Sequence, residues 1–320
     1  MMRTVGPEGY DRPLFILAFD HRESFERTLF GISGRRPTEE ERAAISDAKA
    51  LVFEGFGRAA AGGLVARDAA GVLIDEEFGA EMARAATARG YVLAMPAERS
   101  GHEEFDFEYG EAFGGHVEAF DPTFCKVLVR YNPEGDAAMN ARQSDRLALL
   151  SGWLHDHRRR FLFELLVPPT QAQLERAGGD RVRFDRERRP GLMLRAVAEL
   201  QARGVEPDVW KIEGLDDPDD CRRIAAATRA GGRDRVACVV LGRGADEEAV
   251  ARWLRAGAGI PGYLGFAIGR TIWWDAVDGF LKGSMGRDAA SAAIADRYGR
   301  FVDVYRAAEA GRLAADAEGR

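Results

Sequence analysis

The sequence is poor in cysteine, with only three among its 320 residues. Cys125, Cys221 and Cys238 are scattered, and no two of them have the C-x-x-C spacing of a zinc site or a redox pair. An odd number of distant cysteines also gives no framework of disulfides. We therefore expect a protein of the reducing cytoplasm that needs neither disulfides nor a structural zinc ion.

Long apolar runs and an excess of positive charge are also absent. The sequence has no apolar run of about 18 residues, and its first residues, MMRTVGPEGYDRP, lack the apolar core of a signal peptide. The net charge is −7, so no overall positive field attracts nucleic acid or an anionic membrane. We expect a small-molecule partner held by a few local side chains, and the sequence leaves open whether the chain forms a homo-oligomer.

Histidine, the commonest metal ligand, occurs only five times. Only His21 directly follows a predicted strand, whereas a zinc-dependent aldolase needs several histidines at strand ends. The acidic residues that remain as candidates for binding Mg²⁺ are Asp75, Glu76, Glu77 and Glu98. We predict no cofactor and no required metal, with a metal-dependent lyase or isomerase as the alternative.

Short apolar runs alternate with longer amphipathic stretches along the chain. Eight runs are predicted to be strands, at residues 14–20, 71–75, 91–95, 124–131, 161–166, 208–213, 236–241 and 262–268. Helical patterns lie between them, at residues 38–61, where Thr38 and Glu41 form a capping box, and at residues 144–157 and 246–256. This alternation predicts an α/β fold, a single (β/α)8 TIM barrel. A doubly wound open sheet is the alternative, but no G-x-G-x-x-G motif follows an early strand.

We predict one domain over residues 1–320, with the barrel at about residues 12–285 and a helical tail after it. The charged, arginine-rich stretch at residues 171–191 follows the fifth predicted strand, so we expect an extended, solvated loop over the top of the barrel. Whether this loop is a lid is left open. The segment rich in alanine and arginine from Asp288 onward is expected to be a terminal helix with a frayed end.

Charged residues inside the predicted strands are informative, because barrel strands are covered on both sides and should be apolar. Lys126, Glu164 and Lys211 lie in the fourth, fifth and sixth strands, and Asp20 ends the first. Side chains alternate between the two sides of a strand, so a bulky Trp210 on the helix side places Lys211 inside the barrel. Two lysines and a glutamate on adjacent strands are therefore expected to meet there.

This grouping suits a lysine that attacks a carbonyl group. Only the neutral amine is nucleophilic, and burial or a nearby cation such as Lys126 lowers the pKa of a lysine. We predict that Lys211 is a Schiff-base nucleophile and that Glu164 moves protons during iminium formation and C–C cleavage. A set of buried ion pairs without a catalytic role is the alternative.

Glycine and arginine follow the last two predicted strands. Gly242, Arg243 and Gly244 come after the seventh strand, and Gly269 and Arg270 come after the eighth. Barrels often bind phosphate in these two loops, where glycine lets the backbone approach the anion and arginine donates two hydrogen bonds. We predict a phosphate site with Arg270 as its first ligand, while Arg243 can equally face solvent.

Five segments near the strand ends are distinctive as a set: FDHRESF, KVLVRYNPEGD, FELLVP, DVWKIEG and GFAIGRTIW. Together they resemble the class I tagatose-bisphosphate aldolase superfamily. They resemble more closely the aldolase-like domain that is often fused to the sugar kinase of myo-inositol catabolism, 5-dehydro-2-deoxygluconokinase. The resemblance covers essentially the whole chain, although the G-A-G-D anion hole of the kinase does not occur in the sequence.

The resemblance implies that Lys211 is the Schiff-base lysine. The other residues to which it gives a place in the site are Lys126, Glu164, Asp20, His21, Arg22, Gly269 and Arg270. The sequence departs from the aldolases at His21, which replaces a glutamine, and at Gly242 to Gly244, which replace a small turn containing serine.

The reaction that the resemblance implies is cleavage of 2-deoxy-5-keto-gluconate 6-phosphate to dihydroxyacetone phosphate and malonate semialdehyde. The residues themselves support a retro-aldol reaction on a phosphorylated, ketose-like substrate. A non-catalytic protein that binds a sugar phosphate is a further alternative.

Overall fold

The structure, a computed structural model, describes residues 7–318. Eight parallel strands form a closed barrel in chain order, and the first strand pairs with the eighth. They are β1 (Leu14–Ala18), β2 (Ala70–Leu73), β3 (Val92–Pro96), β4 (Phe124–Arg130), β5 (Arg160–Leu166), β6 (Val209–Glu213), β7 (Ala237–Leu241) and β8 (Tyr263–Ile268). The predicted TIM barrel and its eight predicted strands are confirmed.

The helices of residues 7–318 follow the strands around the outside of the barrel. They are α1 (Glu23–Phe30), α2 (Glu39–Ala61), α3 (Glu76–Ala88), α4 (Phe113–Phe120), α5 (Ala137–Asp156), α6 (Gln171–Arg176), α7 (Arg181–Glu187), α8 (Arg189–Ala202), α9 (Pro218–Arg229), α10 (Glu247–Gly257), α11 (Arg270–Leu281) and α12 (Arg287–Glu318). The capping box before α2 is confirmed, with Thr38 and Glu41 each accepting a hydrogen bond from the backbone of the other. Within the same residues, no helix combines the length and the apolar character needed to cross a membrane.

The alternation of side chains along the strands is as predicted. Trp210 and Ile212 of β6 pack outward in the large core beneath the helices, together with Phe163 of β5. The inner side chains form a second, smaller apolar cluster, which includes Phe124, Leu162 and Val209. In β4, β5 and β6 these inner apolar residues come two positions before Lys126, Glu164 and Lys211. The charged side chains therefore lie above an apolar floor, toward the carboxyl ends of the strands.

The segment after β5 is not the extended loop that the sequence predicted. Residues 171–191 form α6, α7 and the first turn of α8, and Phe184 of α7 is fully buried. Side-chain caps start the two short helices, because Thr170 accepts a hydrogen bond from the backbone of Gln173 and Asp180 accepts one from Val182. Arginine favours helix as much as other long side chains do, so the high charge of this segment concealed its helices.

The C-terminal segment is the helix that the sequence predicted, but much of it belongs to the core instead of forming a frayed tail. Helix α12 packs on α2 and buries Ile294, Tyr298 and Tyr305. The hydroxyl of Tyr298 donates a 2.7 Å hydrogen bond to the carbonyl oxygen of Phe15 in β1. Alanines between these residues weaken the hydrophobic pattern, which is why the sequence suggested fraying.

Candidate active site

The three charged residues predicted inside the barrel do meet there. Glu164 is paired in the strand register with Lys211 of β6 on one side and with Leu128 of β4 on the other. Lys126, Glu164 and Lys211 keep 1%, 5% and 3% of their surface exposed. These groups are almost removed from water, so each charge needs a partner nearby.

Lys126 lies at the centre of three carboxylates. Its Nζ is 2.7 Å from Oδ2 of Asp20, 2.6 Å from Oε1 of Glu98 and 3.2 Å from Oε2 of Glu164. Burial alone would lower the pKa of Lys126, but the three carboxylates outweigh it and raise the pKa. The sequence suggested Lys126 as a cation that lowers the pKa of Lys211. Instead, the charge of Lys126 is compensated by three carboxylates, one within β5 and the others just after β1 and β3.

Lys211 has one carboxylate partner among the described residues. Its Nζ lies 2.9 Å from Oε2 of Glu164, the same oxygen that contacts Lys126. Burial would raise the pKa of Glu164, but Lys211 and Lys126 hold it below its usual value. The arrangement therefore places an ionised carboxylate directly beside the amine that is predicted to be the nucleophile.

The other two carboxyl groups around Lys126 differ from each other. Burial would raise the pKa of Asp20, but Lys126 outweighs it and holds the pKa well below its usual range. At Glu98 burial wins and raises the pKa, although Lys126 and Arg22 oppose the change. Asp20 is therefore fixed as a carboxylate, while Glu98 is the carboxyl group that holds a proton most readily.

Glu98 is the site residue that the sequence analysis missed, since it was weighed only as a ligand for Mg²⁺. It follows β3, and its Oε2 is buried without a hydrogen-bond partner among residues 7–318. Its position two residues after a barrel strand was the available signal. Over the same residues, no group of three or more His, Cys, Asp or Glu side chains is arranged to hold a metal ion.

His21 and Arg22 have different surroundings at the end of β1. Burial lowers the pKa of His21 to about 4, with Arg270 and Lys211 adding to the effect and Asp20 opposing it. The His21 ring meets Trp273 edge to face, and its Nδ1 has no partner in the described part of the chain. Near neutral pH, His21 is therefore an uncharged ring able to bind a ligand group.

Arg22 faces the backbone and a side chain of the loop after β3. Its Nη1 donates to Glu108 and its Nη2 donates to the carbonyl oxygen of Glu98, each over 2.7 Å. It therefore fixes the backbone of Glu98 and is not free to bind a phosphate group.

The two glycine–arginine turns lie beside each other, and their arginines differ. Arg270 is exposed, and within residues 7–318 its guanidinium donates only to the carbonyl oxygen of Arg243, over 3.2 Å. Arg243 is tied down: its Nη1 lies 2.6 Å from Asp185 of α7, and its Nε lies 2.9 Å from Glu213 of β6. Arg270 is available to an anion, whereas the side chain of Arg243 is partly exposed but engaged by two carboxylates.

The glycines let these turns approach each other. A Cβ on Gly244 would lie 2.8 Å from the guanidinium of Arg270, and a Cβ on Gly269 would lie 2.4 Å from the carbonyl oxygen of Ala18. Gly244 also has φ of +69°, which favours glycine. Gly242 is less constrained, because the nearest atom to a Cβ added there would belong to the side chain of Ile268, at 3.1 Å.

A cavity of about 580 Å³ opens at the carboxyl ends of the strands and joins these groups. Its floor includes Lys126, Glu164 and Lys211, and its wall includes His21 and Arg270. The volume suits a ligand of the size of a sugar phosphate. The position is the one at which barrel enzymes carry their active sites.

Sequence comparison relates the chain to one family. The model of the family described as "Uncharacterized protein conserved in bacteria (DUF2090)" matches residues 4–309. The chain belongs to this family. A search of curated proteins finds no match to this DUF2090 member.

Several solved structures share the fold of this DUF2090 chain. Fructose-bisphosphate aldolase from Plasmodium falciparum, solved with TRAP and a small-molecule inhibitor, has a TM-score of 0.61 and 14% identity over 94% of this chain and 97% of its own. A Schiff base forming fructose-1,6-bisphosphate aldolase has a TM-score of 0.51 and 15% identity over 89% and 93%. Cgl0159 from Corynebacterium glutamicum has a TM-score of 0.56 and 17% identity over 94% and 88%. At these identities the likeness shows the fold alone.

Proposed function

We propose that this protein is a class I aldolase in which Lys211 forms a Schiff base with a phosphorylated keto sugar or keto sugar acid. The observation that carries the proposal is the contact of 2.9 Å between Nζ of Lys211 and Oε2 of Glu164, at the floor of the cavity and beside a second buried lysine. Perturbed titratable groups collected in one cavity are typical of catalytic sites.

The first chemical steps form the iminium. The neutral amine of Lys211 attacks the substrate carbonyl carbon, and the carbonyl oxygen takes up a proton to give a carbinolamine. The carbinolamine then loses water and leaves a C=N bond to Lys211. Glu164 is the group beside Nζ that accepts and returns these protons.

The iminium then accepts the electron pair of the bond that breaks. A hydroxyl group on the carbon that becomes the aldehyde loses its proton, the C–C bond breaks, and the electrons form an enamine on Lys211. The enamine carbon is protonated, and water releases the ketone product from the lysine. Lys126, kept charged by Asp20, stabilises negative charge that develops beside Glu164 during these steps.

The phosphate group of the substrate is assigned to Arg270 and to the backbone of the turns at Gly242 to Gly244 and at Gly269. Arg270 has no carboxylate within ion-pair distance among residues 7–318, and the absence of side chains on these glycines would let an anion approach their backbone. Arg243 positions the turn through Glu213 and Asp185 rather than binding the anion itself.

The substrate follows from the resemblance to aldolases of sugar metabolism. We assign dihydroxyacetone phosphate as the ketone product and a small aldehyde as the other product. The finer assignment is 2-deoxy-5-keto-gluconate 6-phosphate as substrate, with malonate semialdehyde as the aldehyde, in myo-inositol catabolism. The likeness of the fold to Schiff-base aldolases supports the reaction class and leaves this choice to experiment.

The test is to trap the Schiff base. The protein is incubated with dihydroxyacetone phosphate and reduced with sodium borohydride, and the masses of the whole chain and of its peptides are measured. We expect one adduct, on the peptide that contains Lys211, and none after Lys211→Met. Lys282→Met, which changes an exposed lysine of the surface, serves as the matched control and should retain the adduct.

The other outcomes separate the alternatives. An adduct on Lys126 would keep the reaction class and exchange the roles of the two lysines. No adduct, together with activity that EDTA abolishes, would support a metal-dependent lyase or isomerase. Stabilisation by sugar phosphates without any turnover or adduct would support a binding protein.

A further inference from the structure

We infer that Glu98 is the residue that exchanges a proton with the hydroxyl oxygen of the carbon released as aldehyde, while Glu164 serves the nitrogen of Lys211. This inference rests on the proposed aldolase function and divides its proton transfers between two carboxyl groups. In cleavage, Oε2 of Glu98 takes the hydroxyl proton as the C–C bond breaks. In condensation it returns that proton to the aldehyde oxygen as the C–C bond forms.

The positions of the two carboxyl groups suit this division. Glu164 contacts both lysines, whereas the carboxylate of Glu98 contacts Lys126 and no other lysine among residues 7–318, over 2.6 Å. Glu98 follows β3 and Glu164 lies in β5, so they flank Lys126 of β4 from its two neighbouring strands. The strands β6, β5, β4 and β3 are neighbours in the barrel, so the ends that carry Lys211, Glu164, Lys126 and Glu98 follow one another around the site. We place the released part of the substrate over Lys126, where its hydroxyl group would lie nearer to Glu98 than to the Schiff-base nitrogen.

The free oxygen of Glu98 is the second observation. Oε1 accepts from Lys126, but Oε2 is buried, has no hydrogen-bond partner among residues 7–318 and belongs to a side chain that lines the cavity. A buried polar atom without a partner costs stability, so it is expected to have a partner when the ligand is present. A substrate hydroxyl group supplies that partner.

The charged groups around Glu98 favour its use as an acid and base. Lys126 of β4, and Asp20 and Arg22 from the end of β1, are the charged groups that face it, and Cys125 lies near it in β4. Burial raises the pKa of Glu98, which makes its carboxylate a stronger base than the carboxylate of Asp20. Asp20 is the alternative candidate for this role, but Lys126 holds the pKa of Asp20 low.

The role of Glu98 can be separated from Schiff-base chemistry by comparing two half-reactions. Exchange of the enamine-forming proton of dihydroxyacetone phosphate with D₂O needs Lys211 but no aldehyde. Condensation with glyceraldehyde 3-phosphate or malonate semialdehyde needs the proposed proton transfer as well. Glu98→Gln keeps the shape of the side chain and an oxygen for Lys126, but it removes the titratable proton.

We expect Glu98→Gln to retain the borohydride adduct and the deuterium exchange, and to lose condensation by roughly 10²–10⁴-fold. In the unchanged protein, condensation should fall as the pH rises through the pKa of Glu98, and the variant should lack this limb of the profile. Glu118→Gln, a change on the exposed side of α4, is the matched control and should behave as the unchanged protein does.

Four results would overturn the assignment. Condensation by Glu98→Gln at the rate of the unchanged protein would exclude Glu98. An equal loss of deuterium exchange and condensation would also exclude it, because Glu98 would then only support the structure of the site. If Asp20→Asn, and not Glu98→Gln, lost condensation while keeping deuterium exchange, the role would belong to Asp20. If the unchanged protein exchanges deuterium but condenses with neither aldehyde, the proton transfer assigned to Glu98 does not occur. Failure of the adduct in the unchanged protein would remove the aldolase function itself.

Discussion

Lys126 and Lys211 share one carboxylate oxygen, because Oε2 of Glu164 lies 3.2 Å from the Nζ of the first and 2.9 Å from the Nζ of the second. The two lysines are not equivalent in their other contacts. Lys126 also holds Asp20 and Glu98, whereas Lys211 has Glu164 as its single carboxylate partner in the described part of the chain. Their removal should therefore have different effects on stability and on chemistry.

Lys126→Met should cost about 3–5 kcal/mol of unfolding free energy near pH 8, because it leaves three buried carboxyl groups without their common cation. Without Lys126, burial should leave Asp20 and Glu98 with folded-state pKa values above their unfolded values, whereas Glu164 keeps Lys211, so the loss should shrink as the pH falls toward about 5. Lys211→Met should cost clearly less, since Glu164 keeps Lys126. Urea unfolding at the two pH values measures both effects.

Equal losses for the two lysine variants would show that Lys126 is not the centre of the cluster. A loss that is the same at both pH values would show that protonation of the carboxyl groups does not compensate for the missing cation.

His21 should make stability depend on pH. The unfolded imidazole takes up a proton below its usual pKa of 6.5, while the folded one stays neutral down to about 4. The contribution of His21 is therefore fully present above 6.5 and is lost as the pH falls toward 4, by at most about 3 kcal/mol. His21→Gln should flatten the urea stability profile over this range.

His102→Gln, which changes an exposed histidine of the loop after β3, is the control for His21→Gln. Its unfolding free energy should vary with pH in the same way as that of the unchanged protein. If the unfolding free energy of His21→Gln depends on pH as steeply as that of the unchanged protein, the His21 imidazole takes up its proton in the folded state.

The sequence predicted most of the floor of the site and less of its surroundings. Lys211 was placed correctly because Trp210 beside it is bulky and apolar, so the alternation of the strand decided which side faces the barrel. Glu98 was missed because it lies beyond its strand, and its contact with Lys126 depends on how β3 and β4 pack. The link of Arg243 to Asp185 joins residues 58 positions apart, and no local pattern indicates such a pair.

Gly244→Ala should weaken phosphate binding. The added Cβ would lie 2.8 Å from the guanidinium of Arg270 and must displace it, and φ of +69° adds backbone strain of about 1 kcal/mol. Gly63→Ala is the matched control, because φ there is +74° and nothing lies within 4 Å of the added Cβ. Thermal shifts with inorganic phosphate, measured for both variants, separate strain from loss of the anion site.

We expect both glycine variants to lose similar stability, and only Gly244→Ala to lose the stabilisation by phosphate. Retention of the full phosphate response in Gly244→Ala would show that Arg270 is not held at the anion site by this turn.

Arg243→Ala should loosen α7 without unfolding the barrel. The change removes the contacts with Asp185 and Glu213, but Glu213 keeps Arg189 and the backbone N–H of Val167. We expect a loss of about 1–3 kcal/mol and faster hydrogen exchange confined to residues 171–187. The backbone at position 243 has φ of +53°, which alanine and arginine tolerate equally poorly. The effect of Arg243→Ala therefore comes from the loss of the side chain.

Arg183→Ala is the control on the same helix, because the pair of Arg183 with Glu187 is exposed and should contribute about 0.5 kcal/mol or less. If α7 is a lid over the cavity, Arg243→Ala should raise KM for the phosphorylated substrate more than it lowers kcat, since a loosened cover weakens binding before it disturbs Lys211. Faster exchange with unchanged KM and kcat would instead make α7 a fixed part of the wall, and the contact between Arg243 and Asp185 would then serve stability alone.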